Sequence, residues 1–69
     1  MKYSARNVLK GTVKEVHIGE VAAEVIISLP GGSEIVSMIT KESVEKLGLK
    51  PGKEACAIIK ASNVIIGTD

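Results

Sequence analysis

Apolar residues fall at every second position from Val21 to Leu29: Val21, Ala23, Val25, Ile27 and Leu29. A period of two puts all five on one face of a β-strand, whereas a helix would need a period of 3.6. Ile26 is apolar on the opposite face, so that face is not wholly wet either. Such a strand needs partners, and the flanking segments read as two of them. From Leu9 to Ile18, the residues Leu9, Gly11 and Val13 share a face, and Val16 and Ile18 continue one residue out of phase. A slip of one residue sends side chains to the other face, so this strand needs a bulge or sharp bend, with Gly11 a second weak point. Gly19-Glu20 forms a tight turn and Pro30-Gly31-Gly32 a short hairpin connection. Glu34 to Ile39 is a third strand, with Ile35 and Ile39 on one face and Val36 and Met38 on the other.

One short helix follows. Thr40 is expected at its N-cap, Val44 and Leu47 lie three apart on one face, and Gly48 suits the C-terminal end before Pro51-Gly52. Glu54 to Ile59 is a fourth strand, Ala61-Ser62-Asn63 interrupts it, and Val64-Ile65-Ile66 is expected as a fifth. Three strands, a helix and two strands match an all-β fold with one short helix, the five-stranded OB-type Greek-key barrel. Strands apolar on both faces need cover on both. One face would line the barrel and the other would meet a second subunit.

Length supports that expectation. Residues 1–69 make one domain at most, and a chain this short buries only roughly 60% of its unfolded surface. Small domains add disulfides, a metal or a partner subunit. Cys56 is the only cysteine and His17 the only histidine, so neither an internal disulfide nor a zinc cluster is available. A homo-oligomer is the remaining support. No apolar run approaches a signal peptide or a membrane span, and the expected location is cytoplasmic.

The same scarcity limits the chemistry. His17 and Cys56 lack companions for a nucleophile–base set, so no enzyme is expected; His17 reads as a surface histidine and Cys56 as a buried, inert thiol. Nucleic-acid binding by an OB-type barrel stacks bases on aromatic side chains in a basic groove. Here Tyr3 is the only aromatic and the net charge is +1, which argues against that class. Anion binding needs less: donors converging on one point, with one or two positive charges. Ser4-Ala5-Arg6-Asn7 offers a hydroxyl, a guanidinium and an amide. Lys60-Ala61-Ser62-Asn63 offers an ammonium, a hydroxyl and an amide. Thr40-Lys41-Glu42-Ser43 is a third cluster, at the start of the helix.

These clusters also stand in a recognisable order. Ser4-Ala5-Arg6-Asn7 with Leu9-Lys10-Gly11, then Val21-Ala22-Ala23-Glu24-Val25, Ile39-Thr40-Lys41-Glu42-Ser43-Val44, Leu47-Gly48-Leu49 and Ile59-Lys60-Ala61-Ser62-Asn63-Val64 resemble the molbindins, small molybdate-binding proteins. The resemblance spans essentially the whole chain and, without DNA- or nucleotide-binding portions, is to the stand-alone form. It implies an OB-type barrel assembled as a hexamer, a trimer of dimers with exchanged N-terminal strands. It implies molybdate or tungstate bound at subunit interfaces for intracellular molybdenum storage or homeostasis, with no organic cofactor and no direct cation ligands. By position, Ser4, Ala5 and Arg6 would come from one subunit and Lys60, Ala61 and Ser43 from another, with Ser62 a further candidate. A second oxyanion site would fall at Gly19, Glu20, Val21 and Ala22. The alternative is a ligand-sensing regulatory module that acts by contacting another protein.

Overall fold

The computed structural model describes residues 2–69. Its framework is an antiparallel sheet of β1 (Asn7–Ile18), β2 (Ala22–Ser28), β3 (Glu34–Thr40) and β4 (Glu54–Ile59), in the order β3-β2-β1-β4. The helix α1 (Lys41–Leu47) lies between β3 and β4, and a single 3-10 turn covers Ala61–Asn63. The result is a curled sheet with one helix, consistent with the OB-type fold.

The curl comes from β1, which serves two partners in succession. Asn7 to Thr12 pairs with β4, and Thr12 to Ile18 pairs with β2. Near that handover the backbones crowd. A Cβ on Gly11 would stand 2.3 Å from the Ser28 carbonyl oxygen and 2.7 Å from the Ile27 side chain, so only glycine fits. The expected slip is a bulge. The register with β2 jumps between Val13 and Glu15, leaving Lys14 out of that pairing. The extra residue puts Val13 and Val16 on the same core-facing side, where both pack. Lys14 reaches across to Glu34 at the start of β3, with Nζ 2.5 Å from the carboxylate.

The alternating face of β2 forms the centre of the molecule. Ala23, Val25 and Ile27 are buried with Val13 and Val44, and Val16, Leu29, Ile39, Leu49, Ala55 and Ala57 pack around them. Val21, expected on the same face, is exposed in the turn before β2, where its carbonyl accepts from Lys41 N. Helix α1 begins as expected: Thr40 Oγ1 accepts from Ser43 N at 3.0 Å and donates to Ser43 Oγ. It ends at Gly48, which takes the left-handed conformation (φ 63°) that a residue with a Cβ resists. Lys53 Nζ donates to the Leu47 carbonyl and so satisfies a free acceptor at the negative end of the helix. Val44 is buried but Leu47 is exposed, so the helix anchors through one residue of the expected pair.

Two further expectations are not met within the single chain. The fifth strand is absent: Val64, Ile65 and Ile66 leave the 3-10 turn without entering a ladder and are exposed. The turn, closed by Asn63 N to Lys60 O and Val64 N to Ala61 O, ends the run of β4 against β1. Cys56 is exposed rather than buried. Strand β4 turns Ala55 and Ala57 to the core, so Cys56 and Ile58 face outward. That outer face is uncovered on β3 as well, where Val36 and Met38 are exposed.

Candidate functional site

Antiparallel strands β1 and β4 stop pairing at Asn7 and Ile59. Beyond that pair the chain before β1 and the chain after β4 run past each other. The gap between them is an open depression of about 480 Å³, lined by Tyr3, Ser4, Ala5, Arg6, Ile58, Lys60, Ala61 and Ser62. Six of the seven residues assigned to the first oxyanion site therefore meet in one place. The resemblance implied that Ser4, Ala5 and Arg6 would face Lys60 and Ala61 across a subunit boundary. Within the single chain they are neighbours, because the Asn7–Ile59 pairing brings both segments to the same end of the sheet.

The electrostatics of this depression are one-sided. Arg6 and Lys60 line it, and no carboxylate does. Among the described residues the ion pairs are Lys14 with Glu34 and the weak contact of His17 with Glu15, so Arg6 and Lys60 remain unpaired. Tyr3, Ser4 and Ser62 add hydroxyls. The 3-10 turn starts at Lys60 with no side-chain cap, which leaves its first N–H groups available as further donors. Two cations beside several neutral donors can balance a dianion and satisfy its oxygens.

Sequence reading missed Tyr3 and Ile58. The signal for Ile58 was present: it lies two residues before Lys60, and a strand places positions i and i+2 on one face. Tyr3 carried only its adjacency to Ser4.

Ser43 lies elsewhere. It occupies the first turn of α1, which starts where Thr40 pairs with Ala22, near the Ile18 end of β1. The depression lies at the Asn7 end of the same strand. Glu42 also sits in that first turn and supplies a negative charge where an anion would need donors. The turn Gly19-Glu20-Val21 is exposed beside it, with Gly19 N donating to the Ala22 carbonyl and Ala22 already paired in β2. His17 is exposed, its Nε2 3.8 Å from a Glu15 carboxylate oxygen. Among the described residues no three of His, Cys, Asp and Glu come together, and no helix is long and apolar enough to cross a membrane.

Comparison with known proteins places this geometry in context. Residues 3–66 match the TOBE domain family. Molybdenum-pterin-binding protein 1 of Clostridium pasteurianum is 47% identical over 66 residues, covering 96% of this chain and 97% of that protein. Among solved structures, the cytoplasmic molybdate-binding protein ModG, crystallised with molybdate bound, superposes with a TM-score of 0.96 at 59% identity; the match spans all of this chain and 49% of ModG. A molybdate-binding protein from Sporomusa ovata gives a TM-score of 0.92 at 40% identity, over 99% of this chain and 100% of that one.

Proposed function

We propose, from the premise that this chain belongs to the TOBE domain family and within it to the molbindins, that it binds molybdate in the depression between Ser4–Arg6 and Lys60–Ser62. One observation carries the reading. Two cations without carboxylate partners line one depression together with three hydroxyls and no acid. Each hydrogen bond to a charged group contributes about 1.5–3 kcal/mol, so a handful suffices for tight binding. Tungstate, a dianion of the same shape and charge, would be accepted by the same donors. A site offering mainly donors disfavours a protonated phosphate, whose O–H seeks an acceptor.

In this reading the whole chain acts as one oxyanion-binding domain, without catalysis or an organic cofactor, in cytoplasmic molybdenum storage or homeostasis. It assembles as a homo-oligomer, a hexamer built as a trimer of dimers. Exchange of the N-terminal strand between subunits would keep the contacts described above, the Asn7–Ile59 pair included, while making them between chains. Ser43, at the far end of β1 from its own depression, joins a site only on a neighbouring copy. Val64–Ile66 acquires strand pairing from a neighbour, giving the fifth strand. Gly19, Glu20, Val21 and Ala22 border a second oxyanion site where copies meet.

Thermal unfolding with added oxyanion tests the central claim. A ligand at 100 times its dissociation constant stabilises by about 2.7 kcal/mol. Molybdate is expected to raise the midpoint, with phosphate well behind. No shift with millimolar molybdate removes the proposal.

A further inference from the structure

The depression exists because two segments of the chain separate beyond the sheet, so its width depends on where they stop being held together. That point is the Asn7–Ile59 pair, the last of the β1–β4 ladder. Strand β4 is an edge strand, and terminal pairs on an edge open readily. One side-chain bond closes the gap. Asn7 Nδ2 donates to the Ile59 carbonyl at 3.2 Å, in a half-buried setting. Among the described residues no other side-chain hydrogen bond joins β1 to β4. Arg6 immediately precedes Asn7, and Lys60 immediately follows Ile59. The bond therefore ties together the two residues adjoining the cations of the depression.

We propose that Asn7 is a positioning residue for oxyanion binding, its side-chain amide clasping β1 to β4 so that Arg6 and Lys60 are held at a fixed separation before the anion arrives. The proposal rests on the reading of the depression as the oxyanion site. Pre-organised donors lose less freedom on binding, and that saving appears as affinity. The amide suits the task chemically. It donates to a carbonyl while remaining neutral, so it neither repels a dianion, as a carboxylate here would, nor competes with it for Arg6 and Lys60.

The test is calorimetric titration of sodium molybdate into the full chain, well below its unfolding midpoint. Four proteins are compared: the parent, Asn7→Leu, Lys60→Ala and the double variant. Leucine keeps the branched shape and removes the donor. Asn7→Leu is expected to weaken molybdate binding about fivefold, the effect of one ordinary hydrogen bond. In the Lys60→Ala background the same change is expected to do much less, because the separation it controls no longer matters. A purely structural role would give additive effects and a lowered unfolding midpoint. Parent-like binding by Asn7→Leu, or additive effects in the double variant, overturns the proposal while leaving the site in place. Absence of molybdate binding by the parent removes the site itself and this role with it. Should Asn7→Leu fail to fold, Asn7→Ala is judged by the same criteria.

Discussion

Among the described residues Arg6 and Lys60 have no partner anion, and that condition makes a prediction at the scale of single residues. Each is exposed, so neither supports the core. Arg6→Ala and Lys60→Ala should therefore unfold close to the parent temperature without ligand, yet each should bind molybdate about 10- to 100-fold more weakly, the effect of one lost charge-assisted bond. Titration alongside a thermal melt separates the two effects. Gly11 predicts the reverse pattern. A methyl group there meets the Ser28 carbonyl, which belongs to a paired strand and cannot swing aside. Gly11→Ala should lose about 1–3 kcal/mol, the usual range for overpacking, and a chain of this size then melts several degrees lower. The residue that permits β1 to change partners would thus be far less replaceable for the fold than the residues proposed to hold the ligand.

Among the elements, α1 depends on its ends. It has seven residues and buries only Val44, so the Thr40 cap and the Gly48 exit provide much of its definition. Thr40→Ala should lower stability by about 1 kcal/mol, and Thr40→Ser should restore most of it, as thermal melts can show. The β1 bulge allows a prediction in pH. Lys14, left out of the ladder, is hydrogen-bonded to Glu34, and that bond together with the nearby negative charge raises its ammonium above the usual 10.5. A raised pKa in the folded state means the contribution is fully present below the ordinary lysine value and is lost as pH rises through the raised one. The midpoint difference between the parent and Lys14→Met should hold steady from about pH 7 to about pH 9 and close only in stronger alkali. These elements were legible in the sequence because each leaves a local mark: a capping hydroxyl, a glycine exit, a phase slip. Cys56 was misread, and Val64–Ile66 found no partner in its own chain, for a shared reason. Alternation marks a strand but does not say which face meets the core, and an apolar run does not say whether its cover lies in the same chain. The meeting of Ser4–Arg6 with Lys60–Ser62 was beyond local reading as well. It depends on register between strands about fifty residues apart, and the ordered resemblance to a family supplied what periodicity could not.

At the scale of the molecule, the balance between core and surface is uneven. Among the described residues five apolar side chains are buried, while Val36, Met38, Val64, Ile65 and Ile66 stand exposed, the last two almost fully, at 93% and 83%. Residues so exposed add nothing to the core of their own chain, and a soluble surface seldom presents them together without use. Small domains commonly gain stability from a partner subunit, and the proposed assembly would cover this surface. Replacing both Ile65 and Ile66 by Glu tests that arrangement cleanly. If the two are buried between copies, the carboxylates must be desolvated, and native mass spectrometry should show the oligomer giving way to smaller species. The freed subunit should keep its far-ultraviolet dichroism, because the sheet and α1 do not involve these positions. It should still bind molybdate through its own Arg6 and Lys60, but less tightly, since the Ser43 proposed to come from another copy is no longer at hand. Added molybdate should in turn pull the variant back toward the larger species, as a ligand favouring one state must. If the parent is an oligomer and the double variant keeps the same size, residues 64–66 lie outside the contacts between copies, and another exposed face, with Val36 and Met38 foremost, would have to carry them.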